Sequence, residues 1–132
     1  MKSFGLSYRE RLKSRSEFEK IFASGKVIFS HDKKIKALYL VEDTTQRGIV
    51  KIAAVVSRKS GNAFWRNRLK RLIKTSYRLN KESILSSCLL KKLILKIIFS
   101  PNRFNEKNNE FVMLEDIMPG IKDILYKIER SL

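Results

Sequence analysis

Cysteine is almost absent from the chain. Cys88 stands alone, which excludes an internal disulfide or a cysteine-built metal site and leaves it to act as a small buried hydrophobe. Histidine is just as scarce: His31 lies in a polar stretch with no second histidine, cysteine or carboxylate cluster near it. Metal ligation and general acid–base chemistry therefore have no candidate constellation, and no glycine-rich phosphate loop or nucleophile motif replaces them. Long apolar runs are missing too. The most apolar stretch, residues 93–99, is interrupted by Lys96 and falls far short of the roughly 20 residues a membrane-spanning helix needs. No apolar run follows the early cations Lys2, Arg9 and Arg11, so no secretory signal and no membrane partner are expected, and the chain reads as cytoplasmic.

Acidic residues are the last shortage, and the most informative. Against 29 Lys and Arg there are 13 Asp and Glu, a net charge of +16. Such a surplus attracts polyanions over a Debye length of about 8 Å at physiological salt. The shortage is local: residues 44–81 contain no Asp or Glu at all but eleven cations, whereas from residue 105 onward six acids face four bases. A merely solvated surface would intersperse both signs. With 43% apolar residues over 132 positions, the chain reads as one folded domain, residues 1–132, rather than two domains or a disordered polymer.

Residues 1–13 carry no clear period and are expected to form a loosely held basic arm. Ser14 or Ser16 can cap a helix reaching Ser24, with Glu17 and Glu19 near its positive end and Gly25 just past its close. Strands are expected at 26–29, 35–41 and 49–57, and a fourth at 93–100, whose near-continuous apolar character suits a central place in a sheet. In the third strand, Val50, Ile52, Ala54 and Val56 form a core-like face. The opposite face, Lys51, Ala53, Val55, Ser57 and Lys59, is small in the middle and cationic at both ends. A strand of nucleic acid could approach it closely.

Asn62 can cap a helix over residues 64–80, and a last helix spans about 114–129, with Pro119-Gly120 expected to kink it or delay its start. Residues 81–91 read ambiguously, as a helix extension and a loop. The order α-β-β-β-α-β-α describes an α+β fold, a two-layer sandwich of one four-stranded sheet with helices.

At about 100° per residue, Trp65, Leu69, Leu72, Ile73, Ser76 and Leu79 share one arc of the second helix. Arg66, Asn67, Lys70, Arg71, Lys74 and Arg78 share the opposite arc, with Arg68 near the boundary. No glutamate stands at i±4 to compensate the cations from Arg66 to Lys74, so the face is a candidate surface for phosphate or for an acidic protein. Trp65 and Tyr77 are assigned to packing.

Residues 56–73, with the string Arg66-Asn67-Arg68-Leu69-Lys70-Arg71 at their centre, resemble the signature of the bacterial ribonuclease P protein subunit family. The upstream Arg11-Leu12-Lys13, followed by Glu17-Phe18, Ile21-Phe22 and Gly25-Lys26, is similar to that family's opening helix. The resemblance implies a ribosomal-protein-like α+β fold with a left-handed βαβ crossover. It also implies a role beside a catalytic RNA that removes the 5′ leader of precursor tRNA, with the catalytic Mg2+ held by the RNA and no cofactor bound by the protein. By position, Arg66, Asn67, Arg68, Lys70, Arg71 and Lys74 are the expected contacts to ribonuclease P RNA. Phe18, Phe22, Tyr39, Ser57 and Lys59 are the expected contacts to the precursor tRNA 5′ leader. Trp65 stands where the family commonly has a smaller aliphatic residue, so the packing beneath this helix is expected to differ. A general RNA-binding protein and an adaptor for acidic proteins are the competing readings.

Overall fold

The structure, a computed structural model, describes residues 8–132. A short 3-10 turn, Tyr8–Glu10, precedes helix α1 (Arg15–Ser24) and strands β1 (Lys26–Phe29), β2 (Ile35–Asp43) and β3 (Ile49–Ala54). Helices α2 (Ala63–Asn80) and α3 (Glu82–Lys91), strand β4 (Leu93–Pro101) and helix α4 (Leu114–Ser131) complete the chain. The four strands lie in the order β1-β2-β4-β3. β4 pairs antiparallel with β2 and parallel with β3, which gives the apolar fourth strand the central place expected of it. A parallel neighbour requires a crossover, and α2 with α3 supplies it.

Alternation along the strands sorts two cores. Ile35, Ala37 and Tyr39 of β2, Val50 and Ile52 of β3, and Leu95, Ile97 and Phe99 of β4 are buried together with Leu69 and Ile73 of α2, Ile84 and Cys88 of α3, and Ile117, Ile121 and Ile124 of α4. On the other face a smaller cluster gathers Leu12, Ile21 and Ile98, with Phe18, Leu38, Leu40 and Ala53 packed against it. The expected two layers thus hold for α2, α3 and α4, while α1 covers part of the opposite face. The expected core face of β3 is correct, though the regular strand closes at Ala54, three residues earlier than expected.

Several boundaries differ from the expectation, each for a physical reason. Of the expected basic arm, residues 1–7 lie outside the described residues; the rest is not loose. Leu12 is 6% exposed and its backbone N–H donates to the carbonyl of Ile52, with Arg11 bridged to the same strand. One buried leucine with a ladder hydrogen bond is enough to hold this segment to the open edge of β3. Residues 82–91 form a helix rather than an extension and a loop, and Lys81, which keeps helical angles (φ −80, ψ −14), joins it to α2 without a glycine or proline break. Ile84 and Cys88, one turn apart, seat α3 on the core. Leu79, assigned to the packing arc, is 46% exposed, and Tyr77 is buried there instead. α4 begins at Leu114 despite Pro119 inside it. The Asp116 carboxylate accepts from the Met113 N–H, closing the first turn.

Candidate nucleic-acid interface

α2 starts from a tightly built N-terminus. The Asn62 side chain accepts from the Trp65 N–H at 2.8 Å, the capping contact its position implied. Asn62 is itself held, its backbone and side-chain N–H groups donating to the Glu106 carboxylate at 2.8 and 3.1 Å. Trp65 is 3% exposed. Its ring stacks on Phe104 at 6.0 Å and its indole N–H donates to the Asn109 carbonyl at 2.9 Å. The large side chain beneath the helix therefore draws the loop after β4 onto the first turn of α2.

The cationic face is where the helical phase placed it. Asn67, Arg71 and Lys74 are exposed, while Lys70, Arg66 and Arg68 are half-buried. Arg66, Lys70, Lys74 and Arg78 form an i, i+4 ladder of four like charges along the helix. Each such pair costs an isolated helix about 0.2–0.5 kcal/mol. None of them, nor Arg71, enters an ion pair among the described residues. Two of the expected contacts are partly engaged by the protein. Arg66 directs its Nε–H at the Gly61 carbonyl (3.0 Å), and Arg68 directs its own at the Val112 carbonyl (2.8 Å). Arg68 also clamps the loop before α4, because its boundary phase turns it toward that loop.

The expected leader residues do not all meet. Phe18 packs at the margin of the small cluster and Phe22, one turn on, is 59% exposed. Ser57 and Lys59 are exposed in the turn that leaves β3. No hydrogen bond, ion pair or ring contact joins Lys59 to either phenylalanine among the described residues. Tyr39 is on the wrong side of the sheet. It alternates with Leu38 and Leu40, so its ring enters the large core, 7% exposed, and its hydroxyl lies 3.4 Å from the Ser131 hydroxyl. Its assignment to the leader surface is withdrawn.

Register reveals what shares a face with the phenylalanines. Phe29 pairs with Lys36, Lys36 with Ser100, and Val55 follows the Ala54–Phe99 pair. These residues run as one row on the α1 side across β1, β2 and β4 to the residue that follows β3. Phe29 and Val55 are exposed, Lys36 and Ser100 half-buried. The adjoining row, Leu38, Ile98 and Ala53, lies under α1, so the outer row is an open floor beside the helix. Sequence reasoning missed Lys36 and Ser100, although alternation with Leu38 and Ile98 would have placed them.

The other end of this face is closed by charge pairing. Glu17 of α1 meets Lys51 and Lys96, each at 3.3 Å, and Glu42 meets Lys96 at 3.2 Å and also Lys20. Lys51, read as an exposed end of the nucleic-acid face, is therefore neutralised. Burial alone would raise the Glu17 pKa, but hydrogen bonds and charge from Lys96 and Lys51 outweigh it and hold the carboxyl below its ordinary 4.5. For Glu42 the hydrogen bond from Lys20 acts first, against burial, and Lys96 adds to it, with the same net direction. Groups with a depressed folded pKa stabilise the fold above their unfolded value and lose that contribution as pH falls through the folded one. The melting temperature is thus expected to drop as pH falls below about 4.5. In Glu17→Gln it should be lower than wild type at pH 7, with the gap closing in acid. Parallel melting curves across pH would show that the network contributes nothing.

Cys88 is buried and its thiol is pushed up to about 11, chiefly by burial. His31 is exposed. No group of three or more His, Cys, Asp or Glu that could hold a metal ion occurs among the described residues. No helix among them is long and apolar enough to cross a membrane.

A mixed sheet with an open row on one side and, on the other, a helix whose exposed cations enter no ion pair among the described residues defines an α+β protein with a face suited to polyanions. The sequence model described as Ribonuclease P matches residues 6–115. The ribonuclease P protein component of Geotalea uraniireducens is 40% identical over 82 residues, 61% of this chain and 67% of that protein. The component of Porphyromonas gingivalis (strain ATCC 33277) is 28% identical over 131 residues, 98% of this chain and 85% of that protein. The match to the Clostridium novyi component spans 64% of that relative. Among solved structures, the Thermotoga maritima RNase P protein superposes with a TM-score of 0.64 at 26% identity, over 92% of this chain and 97% of that one. The chain belongs to the ribonuclease P family of protein components.

Proposed function

We propose that this chain docks onto ribonuclease P RNA through Asn67, Lys70, Arg71 and Lys74, with Arg66 reaching from the margin. In the same reading it holds the 5′ leader of precursor tRNA on the row formed by Phe29, Lys36, Ser100 and Val55, between Phe18 and Phe22 on one side and Ser57 and Lys59 on the other. The observation that carries the first half is the ladder of four like charges without a counter-ion among the described residues. The fold gains nothing from it, while a phosphate backbone neutralises it and releases its own counter-ions. The second half rests on an exposed aromatic beside cations over a narrow floor, the mixture on which single strands stack. Catalysis belongs in this reading to the RNA subunit and its Mg2+, and the protein binds no cofactor of its own. A cytoplasmic location follows from that RNA partner.

The test is reconstitution with the cognate ribonuclease P RNA at low magnesium. The chain is expected to promote leader removal and to favour precursor over mature tRNA, and Phe22→Ala should narrow that preference several-fold. Absence of any stimulation would refute the reading. Binding to the RNA that does not weaken with salt would point to a different class of partner.

A further inference from the structure

Beyond the cationic ladder, the N-terminal turn of α2 carries a feature the ladder does not use. Phe64 is 80% exposed, Phe111 84% and Met113 51%. These three side chains, with Trp65, Arg68, Glu106 and Glu110, line one open cavity of about 320 Å³. Resting on the reading of α2 as an RNA-binding helix, we propose that this cavity receives a single unpaired nucleobase of the bound RNA, stacked between the Phe64 and Phe111 rings.

Three arguments commit the cavity to a base. The first is continuity. Phe64 and Arg71 are seven residues apart, two turns along one stripe, with Asn67 beside them. A strand whose phosphates follow the cations therefore reaches Phe64 at its next step. The second is rigidity. The walls come from two distant segments, yet Trp65 donates to Asn109, Arg68 to Val112 and Asn62 to Glu106, so the backbone carrying each ring is clamped to the other before any ligand arrives. A preformed slot loses little freedom on binding. The third is charge. The Glu106 carboxylate is spent on Asn62, but Glu110 is exposed and has no ion pair or hydrogen bond among the described residues. A carboxylate at the rim repels a phosphate and accepts from the N–H groups on a base edge. The base enters and its phosphate stays outside, toward Asn67 and Arg71.

The experiment compares Phe64→Ala/Phe111→Ala with Lys70→Ala/Arg71→Ala/Lys74→Ala in binding to ribonuclease P RNA across a salt series, with base-specific chemical probing of the RNA. Both rings are exposed, so melting temperature checks that the fold is kept. Stacking loss is expected to weaken binding about tenfold with the salt slope unchanged, and to unprotect a discrete base that the wild type protects; Phe64→Tyr should retain the affinity. Full affinity and full protection in the double phenylalanine variant would overturn the proposal. So would a wild-type dimer that the variant breaks without loss of RNA affinity, since the patch would then serve a second copy of the chain. If the lysine and arginine variant also binds normally, the RNA face itself is wrong; if only that variant fails, the nucleobase slot alone is.

Discussion

Replacing Lys70, Arg71 and Lys74 together by alanine is expected to weaken binding to ribonuclease P RNA by about 10²–10³-fold. Taken at the upper part of the ordinary net range, since these contacts stay partly solvated, each hydrogen bond to phosphate contributes about 1–1.5 kcal/mol, and about 1.4 kcal/mol is a factor of ten. The dependence of log affinity on log salt should also become shallower, by about 0.7–0.9 for each phosphate that is no longer neutralised. The fold should not suffer. All three side chains lie off the buried arc of Trp65, Leu69, Ile73 and Tyr77, and their removal relieves the Arg66–Lys70, Lys70–Lys74 and Lys74–Arg78 repulsions, so the melting temperature should stay level or rise slightly. Isothermal titration or filter binding at several salt concentrations, with thermal melts alongside, reads both quantities. A collapsed melting temperature would show that the charges are structural, and an unchanged salt slope that they do not meet phosphate. Arg68→Ala differs in kind: with its Nε–H bonded to the Val112 carbonyl, it should lower stability as well as affinity.

That contrast also marks where the sequence was readable. α2 was legible because its information is periodic. One 3.6-residue phase separates Leu69 and Ile73 from Lys70 and Lys74, and no distant residue is needed to see it. The core face of β3 was legible for the same reason, through a period of two. What failed required partners far along the chain. The Arg68 clamp joins residues 44 apart, and the neutralisation of Lys51 depends on Glu17, 34 residues away. Tyr39 was placed by resemblance rather than by parity, though its alternation with Leu38 and Leu40 decides which face it takes. The open row of Phe29, Lys36, Ser100 and Val55 was hidden by strand order. β4 inserts between β2 and β3, so neighbours in space are not neighbours in sequence. α3 escaped because Lys81 joins it to α2 without any residue that signals a break. The buried hydroxyl of Tyr77, which has no hydrogen-bond partner among the described residues, has no signal in the sequence at all.

Gly48→Ala is expected to be the most damaging of the glycine-to-alanine replacements among the described residues. Gly48 enters β3, and a Cβ built on it meets the Cys88 carbonyl oxygen at 2.0 Å, the Cys88 carbonyl carbon at 2.7 Å and the Leu93 carbonyl oxygen at 2.9 Å. All three obstacles are backbone, from the last turn of α3 and the first residue of β4, so no rotamer change relieves them. Its φ is not positive, so the glycine is required by space rather than by conformation. The chain must separate β3 from α3, or move α3 against the core through Ile84 and Cys88, both of which are buried. Overpacking of this severity destabilises by about 3 kcal/mol, and at this chain length that lowers the melting temperature by roughly 10 °C. RNA affinity measured well below that temperature should be close to wild type, because the exposed face of α2 is untouched. The two variants thus fail in opposite ways, one folded and unable to hold RNA, the other able to hold RNA while it remains folded. An unchanged melting temperature in Gly48→Ala would mean that the end of α3 yields to β3 at little cost, and that the crossover between β3 and β4 is looser than its packing implies.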